Sequence, residues 1–175
     1  NPFNVYYITM SGHMPYEDNV EIVNRLSALN MSKFEGLDYS LQTKAYLAAQ
    51  YELEKAMDYL VNRLEEAGIA EKTVIVMSPD HIPYYDVNVL EELTGKDFNL
   101  PYENNLDESA IDFDVYKNCL VIWSGSMKKQ VIVDKLCCAV DVLPTISNLL
   151  VLPYDSRLFT GTDILSDSSP LVIFK

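Results

Sequence analysis

Two rhythms of apolar residues divide this chain. Short, nearly unbroken apolar runs occur at residues 4–10, 73–78 and 120–124, with weaker ones at 130–133 and 171–174. They are rich in Val, Ile and aromatic residues and bounded by Pro, Gly or Ser, so each predicts a strand. Runs that are apolar at almost every position suit strands covered on both faces, which favours a parallel or mixed sheet. Between the first two runs, apolar residues recur at Ala45, Ala49, Leu53, Ala56, Leu60, Leu64 and Ala67. Steps of three and four draw one stripe on a helix and predict one over residues 40–67. Ser40 is placed to cap its start and Gly68 to end it. Strand, helix, strand in that order predicts a parallel crossover unit.

Residues 86–94 predict a short helix closed by Gly95. Asp141, followed by Pro144 three residues on, predicts the N-cap and first turn of another helix, reaching to about residue 150. Between these, residues 86–114 hold nine acidic residues and the single cation Lys96, and read as an acidic surface insertion. Its carboxylates lack the Asp-x-Asp-x-Asp-Gly spacing of a calcium loop.

Charge and composition narrow the function. The 175 residues carry a net charge of −13, and 49% of them are hydrophobic. That apolar content predicts an ordered domain, and the charge excludes nucleic acid as a partner, since the field repels phosphate backbones. An anionic ligand would need a local positive centre, such as a metal. No run reaches the roughly 20 apolar residues that span a bilayer. The chain begins at Asn1 with no initiator Met and reads as a piece of a longer protein. Cys119, Cys137 and Cys138 form neither a disulfide framework nor a Cys-x-x-Cys site and read as small buried residues.

The two histidines carry the candidate chemistry. His13 follows the first predicted strand by three residues, and His81 follows the second by three. Ligands of α/β sheets bind beyond the carboxyl ends of strands, so parallel neighbours would bring both imidazoles to one rim. Asp80 and His81 supply a carboxylate and an imidazole suited to a divalent metal, once a turn framed by Pro79 and Pro83 brings them together. Spacing alone favours a loop aspartate capping backbone beside an exposed histidine, since two residues do not complete a four-ligand site. No glycine-rich phosphate loop or nucleophile elbow is present.

Four segments together resemble one family. Tyr-Ile-Thr-Met-Ser-Gly-His-Met-Pro-Tyr (7–16) is similar to the Thr-x-Ser-x-His-x-Pro-[Phe/Tyr] segment of lipoteichoic acid synthase-like phosphoglycerol transferases, in the sulfatase branch of the alkaline phosphatase superfamily. Lys-Thr-Val-Ile-Val-Met-Ser-Pro-Asp-His (72–81) resembles its strand-Asp-His metal motif. Val-Asp-Val-Leu-Pro-Thr (140–145) and Gly-Thr-Asp-Ile-Leu (161–165) resemble its Asp-x-Leu-Pro-Thr helix and its closing Gly-x-Asp segment.

The resemblance implies an α/β fold with a mixed, largely parallel central sheet flanked by helices, incomplete here because residues 1–175 would be the C-terminal portion of the catalytic domain. It implies a divalent metal, manganese first, with magnesium, calcium or zinc as alternatives. Asp80 and His81 would be metal ligands, and His13 would contact the phosphoglycerol group or assist proton transfer. A threonine nucleophile and a further acidic ligand lie upstream in the family, so no catalytic nucleophile is expected in this chain, which would be inactive alone. Partners would be a phosphatidylglycerol-type lipid, a glycerophosphate polymer acceptor and the missing N-terminal half of the domain, with self-association of the isolated piece through uncovered surface. The longer protein would sit in the bacterial cell membrane with an extracytoplasmic catalytic domain, while this piece would be soluble. A sulfatase, a phosphoethanolamine transferase or a non-catalytic envelope-binding domain is the alternative.

Overall fold

A computed structural model describes residues 2–16, 29–81, 87–98 and 112–172. The chain divides into two compact units, residues 1–126 and 127–175.

In the first unit the long helix α1 spans Leu41–Glu66. The Ser40 hydroxyl caps it by accepting from the Thr43 N–H at 3.1 Å. At the other end Gly68 takes φ +68°, a left-handed conformation that costs glycine little. Its N–H reaches the Glu65 carbonyl and the Ile69 N–H reaches that of Leu64, which occupies two carbonyls the helix leaves open. Of the predicted stripe only Ala45 and Ala49 are buried, joined there by Thr43 and Ala48 from outside it, whereas Leu60 is exposed.

A single turn of 3-10 helix, Ala70–Lys72, leads into strand β1, Val74–Met77. Helix α2, Val87–Thr94, follows and ends at Gly95; Asp86 and the insertion residues 99–111 lie outside the described residues. The α2 residue Glu92 accepts from both the Ser40 N–H and the Ser40 hydroxyl at 2.7 Å, fastening α2 to the start of α1. The core beside these helices is small. Tyr16, Ala45 and Val89 form one buried cluster, while Phe98 and Val115 form another against Val87, Leu90 and Tyr116.

Strand β2, Val121–Ser124, pairs with β1, Val74 opposite Ser124 and Met77 opposite Val121. The pairing is antiparallel and forms the described sheet, so the chain has helices and strands but the largely parallel sheet is not seen among the described residues. Apolar periodicity cannot report strand direction; an unbroken apolar run fits either sense. The expected strand at 4–10 also departs from expectation. It makes no ladder, and its residues are exposed, Tyr6 at 84% and Ile8 at 74%. A strand needs a neighbour for its N–H and C=O groups, and no described element takes that place. The strand–helix–strand crossover is therefore absent among the described residues. Residues 130–133 are likewise exposed and unladdered; of 171–174, residues 171–172 form no strand and 173–174 lie outside the described residues.

In the second unit helix α3 covers Ala139–Leu149. Cys138, not Asp141, is its N-cap. Asp141 sits at the third helical position, where its Oδ2 accepts from the Cys138 N–H at 2.9 Å. Pro144 consequently lies beyond the first turn and has no N–H to offer the Val140 carbonyl. Against that carbonyl packs Gly161, where an added Cβ would lie 2.1 Å from the oxygen. The segment 161–165 is then fastened to α3: the Thr162 N–H donates to Asp141 Oδ1 at 2.7 Å, and the Ile164 N–H to the Thr145 hydroxyl at 2.9 Å. Asn148 donates to Asp163 Oδ2 at 2.8 Å.

Helix α3 ends with the same pair of bonds as α1, Val151 N–H to the Asn148 carbonyl and Leu152 N–H to that of Ser147. Here the left-handed position holds Val151, at φ +53°. A β-branched side chain is strained in that region. Val151 is also fully outward, so no packing is lost on its removal. Val151→Gly is expected to stabilise the chain by about 1 kcal/mol in a denaturant melt, since strain of this kind costs roughly 1–3 kcal/mol and glycine entropy returns part of it. An unchanged or lower midpoint would contradict this.

The cysteines are free, with Cys119 exposed and Cys137 and Cys138 half-buried. The expectation of three buried thiols is met by none of them in full and fails outright at Cys119, because an apolar neighbourhood in sequence does not guarantee cover by a second element.

Candidate metal site and the His13 turn

Asp80 and His81 lie just beyond the carboxyl end of β1, on an exposed turn. Asp80 Oδ1 accepts from the His81 N–H at 2.9 Å, which folds the carboxylate back toward the imidazole. Asp80 Oδ2 and His81 Nε2 then face each other at 3.6 Å. Two donors at that separation can both reach one ion at about 2.1 Å, the usual distance for nitrogen and carboxylate ligands of zinc-sized ions. A carboxylate with an imidazole suits a borderline divalent cation. The pair therefore fits as part of a metal site. Among the described residues no cluster of three or more His, Cys, Asp or Glu side chains could hold a metal.

His13 sits on a separate, tight turn. Its N–H donates to the Met10 carbonyl at 3.1 Å, and its ring Nδ1 lies 2.5 Å from the Met14 carbonyl. A carbonyl only accepts, so Nδ1 carries the proton and Nε2 is the basic nitrogen of the neutral ring. The ring is exposed. The shared rim inferred from parallel strands is not formed by the described residues, because the segment before His13 does not pair with β1.

Two residues that hold this turn carry no site signal in the sequence. The Tyr16 hydroxyl donates to the Gly12 carbonyl at 3.0 Å, and the Gln50 side chain of α1 rests on Gly12, where an added Cβ would lie 2.9 Å from Nε2. Tyr16 was legible only as the end of a motif, and Gln50 only as a polar position on a helix.

The segments around Asp141 and Gly161 have a different role from the histidines. Burial raises the Asp141 carboxyl, but the Thr162 and Cys138 N–H groups, the Cys138 thiol and Lys135 outweigh it and hold the group below the usual aspartate value. Asp141 and Thr145 are occupied in joining α3 to the segment 161–165.

The sulfatase family model matches residues 1–151. The chain is 27% identical to a lipoteichoic acid synthase of Staphylococcus saprophyticus over 99% of its length, covering 25% of that protein. It is 28% identical to lipoteichoic acid synthase 2 of Bacillus subtilis over 98% of its length, covering 24% of that protein. A lipoteichoic acid synthase of Staphylococcus aureus is 24% identical over 99% of the chain and is covered to 24%. The chain thus spans about a quarter of the length of these relatives. No solved structure matches it. With more than half of its residues matched by one family model, the chain belongs to the sulfatase family.

Proposed function

We propose that this chain is part of a metal-dependent phosphoglycerol transferase, which takes the phosphoglycerol group from a phosphatidylglycerol-type lipid and adds it to a glycerophosphate polymer of the cell envelope. The observation that carries this reading is the Asp80 Oδ2–His81 Nε2 pair, facing at 3.6 Å at the end of β1. The similarity to lipoteichoic acid synthases supports the substrate class. In a chain of net charge −13, a divalent ion is the positive centre that would let a phosphodiester approach.

Asp80 and His81 would hold the ion, manganese in the first instance. Once bound, such an ion lowers the pKa of an attacking hydroxyl and offsets charge on the phosphoryl oxygens. His13, with Nε2 as its basic nitrogen, would contact the phosphoglycerol group or move a proton. Two ligands fall short of a closed coordination sphere, so the 175 residues alone are proposed to be inactive and to bind metal weakly. The mixed, largely parallel sheet belongs to this reading as the form of the complete domain, in a protein of the bacterial membrane with an extracytoplasmic catalytic domain. Among the described residues no helix is long and apolar enough to cross a membrane.

Calorimetric titration of the full-length protein with manganese tests the ligand pair. Combining Asp80→Asn with His81→Ala is expected to weaken binding by at least about 100-fold, since even an outer partner of a ligand is worth 10- to 100-fold. Wild-type affinity in the double variant would remove both residues from the site.

A further inference from the structure

Tyr16 ends the turn that carries His13, and it is unusually well anchored for a residue beside an exposed loop. Only 4% of it is exposed. Its ring packs with Ala45 of α1 and Val89 of α2 and meets the Tyr46 ring edge-on, with centroids 5.1 Å apart. From inside this cluster its hydroxyl reaches back to the Gly12 carbonyl at 3.0 Å. The Gln50 side chain lies close against Gly12, within 2.9 Å of where a Cβ would stand. Between Gly12 and Met14, the His13 backbone is tied to Met10 and its Nδ1 to Met14. The ring direction thus depends on the turn keeping its shape, and the Tyr16 hydroxyl is a polar link from that turn to the ring that packs on the helices.

We propose that Tyr16 is the positioning residue of His13: its hydroxyl, fixed between α1 and α2, holds the Gly12 carbonyl and so keeps Nδ1 on the Met14 carbonyl and Nε2 outward. The importance of this for catalysis rests on the reading of His13 as the residue facing the phosphoglycerol group. The hold of Tyr16 on the His13 turn does not depend on that reading. Replacing Tyr16 by Phe preserves the ring and its volume and removes only the hydroxyl, so the cluster survives.

Long-range nitrogen–proton spectra of the His13 ring in this chain, recorded near pH 8 where an imidazole is neutral, provide the test. The wild type is expected to show one protonated and one bare nitrogen, assigned to Nδ1 and Nε2. In Tyr16→Phe the two shifts should converge toward the tautomer average, while Tyr46→Phe, which leaves the Gly12 bond in place, should keep the wild-type pattern. Averaged tautomers in the wild type, superimposable spectra in Tyr16→Phe, or equal convergence in Tyr46→Phe would each overturn the assignment. In the full-length protein Tyr16→Phe should lower kcat on a phosphatidylglycerol substrate more than it changes KM. Failure of the wild type to turn over that lipid would sink the transferase reading and leave the spectroscopic result intact.

Discussion

Gly161→Ala is expected to cost about 3 kcal/mol, the upper end of what overpacking a tight contact usually costs. The added Cβ would stand 2.1 Å from the Val140 oxygen, 2.4 Å from its carbonyl carbon and 2.7 Å from the Asp141 nitrogen. All three are backbone atoms in the first turn of α3, so no flexible side chain can swing aside. The contact exists because Pro144 cannot donate to the Val140 carbonyl, which leaves that carbonyl open to the approaching segment. Relief comes only by lifting residues 161–165 off the helix, and that breaks the bonds from Thr162 and Ile164. Hydrogen exchange of those two amides, read beside a denaturant melt, gives the check. Wild-type protection in the variant would show that the segment does not seat against Val140.

Asp141→Ala should cost about 2–4 kcal/mol. Asp141 is only 6% exposed, and its carboxylate accepts from Thr162 N–H and Cys138 N–H. Removing it strands two part-buried donors, and partial access of water keeps each toward the lower part of the roughly 1–3 kcal/mol that a buried orphan costs. The acid limb gives the sign independently. The folded-state carboxyl titrates below the ordinary aspartate value, so its stabilisation is complete above about pH 3.9 and is lost as pH falls through the lower folded-state value. Asp141→Asn keeps an acceptor for one N–H and should flatten this part of the pH–stability curve. A curve of unchanged slope below about pH 3.9 would mean that the carboxylate is not depressed. The Gly161 and Asp141 changes break one clasp, and their combined cost should fall short of the sum.

These two sites also show how far a motif can be read. Asp-Val-Leu-Pro-Thr and Gly-Thr-Asp-Ile were legible as related segments, 16 residues apart from Thr145 to Gly161, but nothing in their spacing says that one closes on the other. Asp141 looked like an N-cap because Asp favours that position. The helix instead begins three residues earlier than that cap would allow, at Ala139, and uses Asp141 as the reciprocal partner of Cys138. Cysteine is a poor sequence signal for a cap, and the choice was made by the bond from Thr162, which a local window does not contain. The candidate site divides in the same way. Asp80 and His81 were legible as adjacent donors after a strand, and the backbone bond from His81 to Asp80 turns both toward one point. The residues that hold His13, Tyr16 and Gln50, carry ordinary packing patterns and become visible only when α1 is laid against the turn.

By itself the sequence determined what short-range chemistry controls: α1 with its serine cap and glycine end, the short helix before Gly95, the apolar strands β1 and β2, and the Asp-His pair that follows β1. In each, the groups that decide the outcome are within a few residues of one another. Tertiary structure decided what depends on a distant partner. The antiparallel sense of β1 and β2 comes from which edges meet, and the apolar run at 4–10 stays unpaired without a neighbouring edge. The clasp of 161–165 on α3 and the direction of His13 depend on contacts across tens of residues, where periodicity and propensity carry no information about the partner.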